Sequence, residues 1–208
     1  MAKQDGKSWY PMYQVVWLEE VEESDPAKYE DWLKKTVVLL NTEWHRSESA
    51  RIHSLTSKQS MRIKNHLLLI DTKASSVVGH TCIITEPNDE FYIESFIIDK
   101  HLRGKGLGRQ LMNDTEFFIS SHLTCNENFS IKLIARDESA KRFYLKLSFE
   151  VINTNNQSEI VNPCVEVNDV LTEKNLIPPP PLPGIQVFSG SKIQSKGVLM
   201  KKFIKKNS

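Results

Sequence analysis

Arg103-Gly-Lys-Gly-Leu-Gly-Arg109 is the stretch on which the reading of this chain turns. The apolar run before it, Phe91-Tyr-Ile-Glu-Ser-Phe-Ile-Ile98, has the β-branched and aromatic content of a strand. After it, Leu111, Met112, Thr115, Phe118 and Ile119 recur at helical spacing. A strand, a glycine turn and a helix start together make an anion site, because backbone N–H groups and the positive end of the helix dipole face whatever binds. A P-loop would need Gly-x-x-x-x-Gly-Lys-Ser/Thr, and no such run is present. A dinucleotide fingerprint would need Gly-x-Gly-x-x-Gly early in a βαβ unit, whereas Gly104, Gly106 and Gly108 alternate and several strands precede them. A third pattern, Arg/Gln-x-x-Gly-x-Gly/Ala, is matched in full by Arg103, Gly106 and Gly108; a bland glycine turn is the other reading.

Upstream, Met12-Tyr-Gln-Val-Val-Trp-Leu18 reads as a first strand. Asp25 caps a helix that opens on Pro26, and Tyr29, Leu33, Val37, Leu40 and Trp44 form its apolar stripe. The helix ends in a bend, and a short second helix follows in Asn41-Thr-Glu-Trp-His-Arg-Ser-Glu-Ser-Ala-Arg-Ile-His-Ser-Leu55. Strands are expected at 62–71, 77–85 and 91–98, then the motif helix, a strand at 129–135, a helix at 138–147 and a strand at 148–152. Polar residues dominate from Asn153, and Ile177-Pro-Pro-Pro-Pro-Leu-Pro-Gly184 cannot join a sheet interior. Gly197 to Ile204 is periodic again, so residues 153–195 form an insert before the last strand, with a polyproline segment at 178–183. Residues 10–208 then make one α/β domain behind a short flexible start at 1–9, a length suited to a single core.

Bulk composition narrows the function. A net charge of +1 gives no reason to expect nucleic acid, so any charge specificity is local. Cys82, Cys125 and Cys164 are widely spaced without a CxxC pair, which fits reduced thiols rather than disulfides or a zinc site. No signal core and no run of about 18 apolar residues is present, so a cytosolic protein away from membranes is expected.

The glycine pattern resembles the acetyl-CoA site of the GNAT family of N-acetyltransferases, and the element order is similar across almost the whole chain. The resemblance implies a GNAT fold: a mixed, mostly antiparallel sheet of about seven strands with four helices, and here a proline-rich loop before the last strand. It implies acetyl-CoA as co-substrate and no metal. Carried over by motif, Arg103, Gly104, Lys105, Gly106, Leu107, Gly108 and Arg109 would hold the pyrophosphate. The backbone of Phe96, Ile97 and Ile98 would meet the pantetheine arm, and Ser139 could touch the cofactor; sheet core and a helix-start serine are their plain readings. Arg142-Phe-Tyr-Leu-Lys-Leu-Ser-Phe149 resembles the family's Phe-Tyr signature, with Ser148 where glycine is usual. That makes Tyr144 the acid for the departing thiolate, a structural tyrosine being the alternative. Glu94 is the candidate base, equally readable as a surface carboxylate, and His80 a weaker one.

The acceptor is read from Trp44 to Leu55. Arg46, Arg51 and His53 suit a carboxylate-bearing partner, since Arg–carboxylate contacts are strong and directional; a solvated face balanced by Glu43 and Glu48 is the alternative. The segment, including Trp44, Arg46, Ser47, Arg51, Ile52, His53, Ser54 and Leu55, resembles the actin N-terminal acetyltransferases, also called NatH. That resemblance places Trp44 with Tyr144 in catalysis and Arg46, Arg51, Ile52, His53 and Ser54 on the substrate wall. It implies acetyl transfer to an acidic protein N-terminus, that of processed actin, in a ternary complex with a monomeric enzyme. It also implies profilin binding through Pro178, Pro179, Pro180, Pro181, Leu182 and Pro183. The lack of a basic residue to orient an SH3 partner agrees with profilin, and a spacer is the alternative. A GNAT enzyme acting on a small amine or lysine, or a non-catalytic actin–profilin adaptor, are the rival functions.

Overall fold

Among the described residues, seven strands form one sheet, in the spatial order β1 (Tyr13–Trp17), β2 (Lys64–Asp71), β3 (Ser76–Glu86), β4 (Glu90–Ile98), β5 (Asn128–Ala135), β7 (Val198–Lys205), β6 (Glu150–Val151). Every neighbouring pair is antiparallel except β4 and β5, which run parallel. The computed structural model describes residues 12–57, 63–152 and 197–205, all within one compact unit. The start at 1–9, the insert at 153–195 and the polyproline segment at 178–183 lie outside the described residues.

The α/β architecture expected from the element order is present, with five α-helices among the described residues rather than four. The added one is α1 (Leu18–Ser24), about two turns in which only Leu18 is buried. Four glutamates surround Leu18 and Val21 there, so too little apolar periodicity exists to show a helix. Helix α2 (Pro26–Asn41) begins as expected: the Asp25 carboxylate accepts the Lys28 N–H at 3.1 Å, and Pro26 fills the first position. Helix α3 (Glu48–Thr56) is capped by Ser47. Helix α4 (Leu107–Phe118) runs on into a π turn at Ile119–Leu123. Helix α5 (Glu138–Leu145) is capped by Asp137 and ends two residues sooner than its spacing suggests.

Strand alternation sorts side chains between two layers. On β2, Leu68 and Ile70 join Leu33, Leu39 and Leu40 of α2, while Leu67 packs with Met112 and Phe118 of α4. Near the glycine turn, Leu69, Val78 and Ile98 close on Leu107 and Leu111. Each such buried aliphatic contributes about 1.5–3 kcal/mol, and this packing fixes the positions of α2 and α4 on the sheet.

One irregularity matters most. The β3–β4 ladder pairs Cys82 with Ser95 but Ile83 with Ile93, so Glu94 is the extra residue of a β-bulge. The β4–β5 ladder ends at Ile93 and Leu133. Beyond that point β4 stays with β3 as far as Ile98, and β5 stays with β7 as far as Ala135. A bulge bends its strand, and here the bend falls where two parallel neighbours part. The closed end is pinned by the Glu90 carboxylate, which binds Lys132 and, at 2.6 Å, Lys201.

Candidate active site

Between β4 and β5 the sheet therefore has a wedge-shaped opening, with Glu94 to Ile98 along one side. Among the described residues no strand pairs with that edge of β4. A 3₁₀ turn at Lys100–Leu102 and then the glycine turn carry the chain from β4 to α4. Gly104 and Gly106 sit at φ +77° and +85°, a left-handed backbone that costs glycine nothing and other residues about 1 kcal/mol or more. Gly106 is the N-cap of α4, so no side chain stands over the helix's first N–H groups. Lys105 and Arg109 are exposed beside it, whereas Leu107 is buried as an anchor. This arrangement can hold a phosphate-bearing ligand through main-chain N–H groups. Gly108 has a separate reason to be glycine: a Cβ there would lie 3.2 Å from the Phe143 ring.

Arg103 takes a different position from the rest of the turn. Its Nε donates to the Ile98 carbonyl at 2.9 Å, and its Nη2 pairs with the Glu43 carboxylate. In this state its charge faces the bend after α2 rather than the glycine turn.

Across the opening, Tyr144 is carried by α5 and is 7% exposed. Its ring meets Phe96 of β4 at 6.2 Å, Phe143 at 5.1 Å and Phe149 at 5.5 Å between centroids, all edge-on. Burial, and then the Asp137 charge, raises its phenol well above the ordinary range, so the hydroxyl keeps its proton at neutral pH. The turn that presents this tyrosine forms although Ser148 replaces the usual glycine. Ser148 adopts φ +65°, and the Leu147 and Phe149 N–H groups both return to the Tyr144 carbonyl. Ser139, in the first turn of α5, is exposed; the capping there is done by Asp137.

The segment from Trp44 to Leu55 divides by exposure. Arg46 and His53 are exposed, and the Arg46 backbone is fixed by Asn41 in both directions. Arg51 is buried at 8% exposure, with Nε donating to Asn41 Oδ1 at 3.3 Å and Nη2 to the Trp44 carbonyl. At least two of its five donors thus brace α3 against the end of α2. Trp44, Ile52 and Leu55 are half-buried against the α2 layer, and Ser54 returns its hydroxyl to the Arg51 carbonyl.

Beneath α3, one sheet face carries an unexpected polar row. His80 is fully buried, with Nδ1 3.3 Å from Ser95 Oγ and Nε2 3.1 Å from His66 Nδ1. Burial lowers the pKa of both imidazoles, His66 to about 4; the His66 charge and then Arg51 add to the effect at His80. The His66 main-chain N–H donates to both oxygens of Glu19, whose carboxyl burial pushes up to about 7. Glu94 lies on the same face, bound to Lys64 at 2.9 Å and approached by the Cys82 thiol at 3.5 Å.

The structure therefore brings Phe96, Ile97, Ile98, Tyr144 and the turn Gly104–Arg109 to one opening, with Glu94 at its bulge. Reasoning from sequence noticed His80 but missed His66, Ser95 and Glu19. Their juxtaposition depends on the pairing of β2, β3 and β4, which no local spacing displays. Among the described residues, no group of three His, Cys, Asp or Glu could hold a metal, and no helix is long and apolar enough to cross a membrane.

A family model described as an acetyltransferase (GNAT) domain matches residues 41–162. N-alpha-acetyltransferase 80 of Mus musculus is 31% identical over 103 residues, which are 43% of this chain and 32% of that protein. The match thus spans about a third of that relative's length. Among solved structures, Tetrahymena GCN5 is similar with a TM-score of 0.58 at 12% identity, covering 94% of this chain and 98% of that one. An acetyltransferase from Streptococcus agalactiae has a TM-score of 0.54 at 14% identity, covering 94% and 100%. GNAT acetyltransferases use acetyl-CoA. On the family match over more than half its length, and on the fold that agrees with it, the chain belongs to the GNAT family of acetyltransferases.

Proposed function

We propose that the protein moves acetyl from acetyl-CoA to the α-amine of an acidic protein N-terminus, that of processed actin, by direct attack in a ternary complex. The observation carrying the acetyl-transfer part is the opening between β4 and β5, with Tyr144 against Phe96 and the glycine turn at its end. Main-chain groups of Phe96, Ile97 and Ile98 orient the acyl arm, and the turn Gly104–Arg109 holds the phosphates. The attacking amine forms the N–C bond as the C–S bond breaks. Tyr144, still protonated at neutral pH, gives its proton to the sulfur.

The acidic acceptor is supported by the segment that resembles the actin N-terminal acetyltransferases and by the 31% identity to N-alpha-acetyltransferase 80. Arg46 and His53 are the exposed cationic members of that segment, while Arg51 supports it from behind. Profilin binding through Pro178 to Pro183 rests on the proline sequence alone. Cytosolic action as a monomer belongs to the same reading.

A peptide beginning Asp-Asp-Asp and carrying one internal lysine tests the chemistry. After incubation with acetyl-CoA, fragment mass spectrometry should place the acetyl group on the α-amine. Acetyl on the lysine side chain would replace this reading with lysine acetylation, and no transfer at all would favour a non-catalytic adaptor.

A further inference from the structure

The amine must lose protons, and Glu94 is engaged by Lys64. Another path leads inward from the same strand. Ser95 Oγ, His80 and His66 form an unbroken line of hydrogen bonds of 3.3 and 3.1 Å running from β4 across β3 to β2. At its far end His66 Nε2 is buried without a protein partner. His66 lines a cavity of about 190 Å³ together with Glu19, Glu22, Tyr29, Lys64 and Ser57. Leu18, Leu55 and Ile63 supply apolar wall, and a cavity of that size with these polar groups on it has room for water.

We infer that Ser95, His80 and His66 relay the acceptor amine's proton from the β4 edge into the cavity beside Glu19. This rests on the acetyl-transfer reading above. Two assignments of protons satisfy both links, one for each direction, and the relay uses the inward one. In that assignment the Ser95 hydroxyl donates to His80 Nδ1 and His80 Nε2–H donates to His66 Nδ1, which leaves the remaining N–H at Nε2 of His66, a residue that lines the cavity. Each member has one donor and one acceptor, so a proton arriving at Ser95 Oγ is matched by one leaving His66 Nε2.

The balance closes without another reactant. An α-ammonium loses two protons on becoming an amide. One replaces the proton that Tyr144 gives to the thiolate; the other leaves through the relay, and the thioester's electron pair ends on sulfur.

The surroundings favour passage over storage. Burial disfavours a positive charge on either imidazole, and neighbouring charges add to this, His66 and then Arg51 of α3 at His80 and Lys64 of β2 at His66. Glu94 of β4 acts on His66 in the opposite sense, and Glu19 of α1 stands at the exit. Stacked at 5.3 Å and tilted by 24°, the two rings hold the nitrogen-to-nitrogen contact in place.

The test compares Ser95→Ala and Ser95→Thr with wild type on acetyl-CoA and a peptide beginning Asp-Asp-Asp. Ser95 is half-buried on a strand, where threonine is well accommodated. Ser95→Ala should lower kcat by about 100-fold with little change in KM for acetyl-CoA. Its remaining rate should rise toward more alkaline pH than wild type, since only an already deprotonated amine then reacts. Ser95→Thr should restore both kcat and the pH profile. A second variant, His80→Gln, should reproduce the alkaline displacement. If Ser95→Ala keeps the wild-type kcat and profile, or Ser95→Thr fails alike, the relay is wrong while acetyl transfer stands. If wild type itself acetylates no amine, both readings fall together.

Discussion

The Glu43 carboxylate pairs with the Arg103 guanidinium, sixty residues away, and so joins the bend after α2 to the glycine turn before α4. Both side chains are substantially exposed, so the pair contributes under about 1 kcal/mol to stability. Its interest lies in direction: it draws away the charge that the glycine motif would otherwise present to a phosphate. Glu43→Gln should therefore leave the melting temperature nearly unchanged and lower KM for acetyl-CoA by about twofold, as Arg103 swings toward the turn. A raised KM would show instead that the pair shapes the turn.

Arg46 and Arg51 should separate in mutagenesis. Arg46→Glu reverses an exposed charge and should raise KM for acidic peptides by about tenfold, with KM for acetyl-CoA unaltered. Arg51→Lys keeps the charge but cannot serve both Asn41 and the Trp44 carbonyl, and should lower stability by about 1–2 kcal/mol in urea titration. Equal effects of the two on peptide KM alone would contradict this division.

Ser148 occupies a left-handed conformation at the end of α5 that glycine adopts without strain. Ser148→Gly should raise unfolding free energy by about 0.5–1 kcal/mol and leave kcat within error, because the Tyr144 carbonyl still receives both N–H groups. A destabilised variant would mean that the serine side chain itself holds the turn.

Glu19 makes stability depend on pH. Its carboxyl keeps a proton up to about 7 in the folded state, against an ordinary 4.5 in the unfolded chain. Between these values the folded state binds more protons, so stability declines as pH rises from about 4.5 to 7 and stays lower above. Glu19→Gln preserves an acceptor for the His66 N–H and removes this decline. From pH 5 to pH 8 the variant should gain about 1–2 kcal/mol relative to wild type, less than the full linkage value because the cavity leaves the carboxyl partly wetted. Parallel pH dependences in chemical denaturation would contradict the burial account.

Legibility in the sequence followed the range of the physics involved. Asp25 with Pro26, the left-handed glycines and the apolar stripe of α4 act within a few residues, and the structure places each where its spacing implies. Helix α1 was hidden because glutamates flank its two apolar positions, and the β6 strand shrank to Glu150–Val151 because the tight turn at Ser148 uses the residues before it. The charge of Arg51 is plain in the sequence, but its hydrogen bond to Asn41, ten residues earlier, is not. The row Ser95–His80–His66 was least readable, since it needs three strand registers at once. A histidine in an apolar strand looks the same whether it is isolated or linked.

The most direct measurement is a side-by-side determination of kcat/KM, with acetyl-CoA, for peptides beginning Asp-Asp-Asp, Ser-Ser and Met-Leu and for a polyamine. The account predicts that the acidic peptide is preferred by at least about tenfold, which corresponds to about 1.4 kcal/mol of discrimination. A higher value for the polyamine or for either neutral peptide would contradict it.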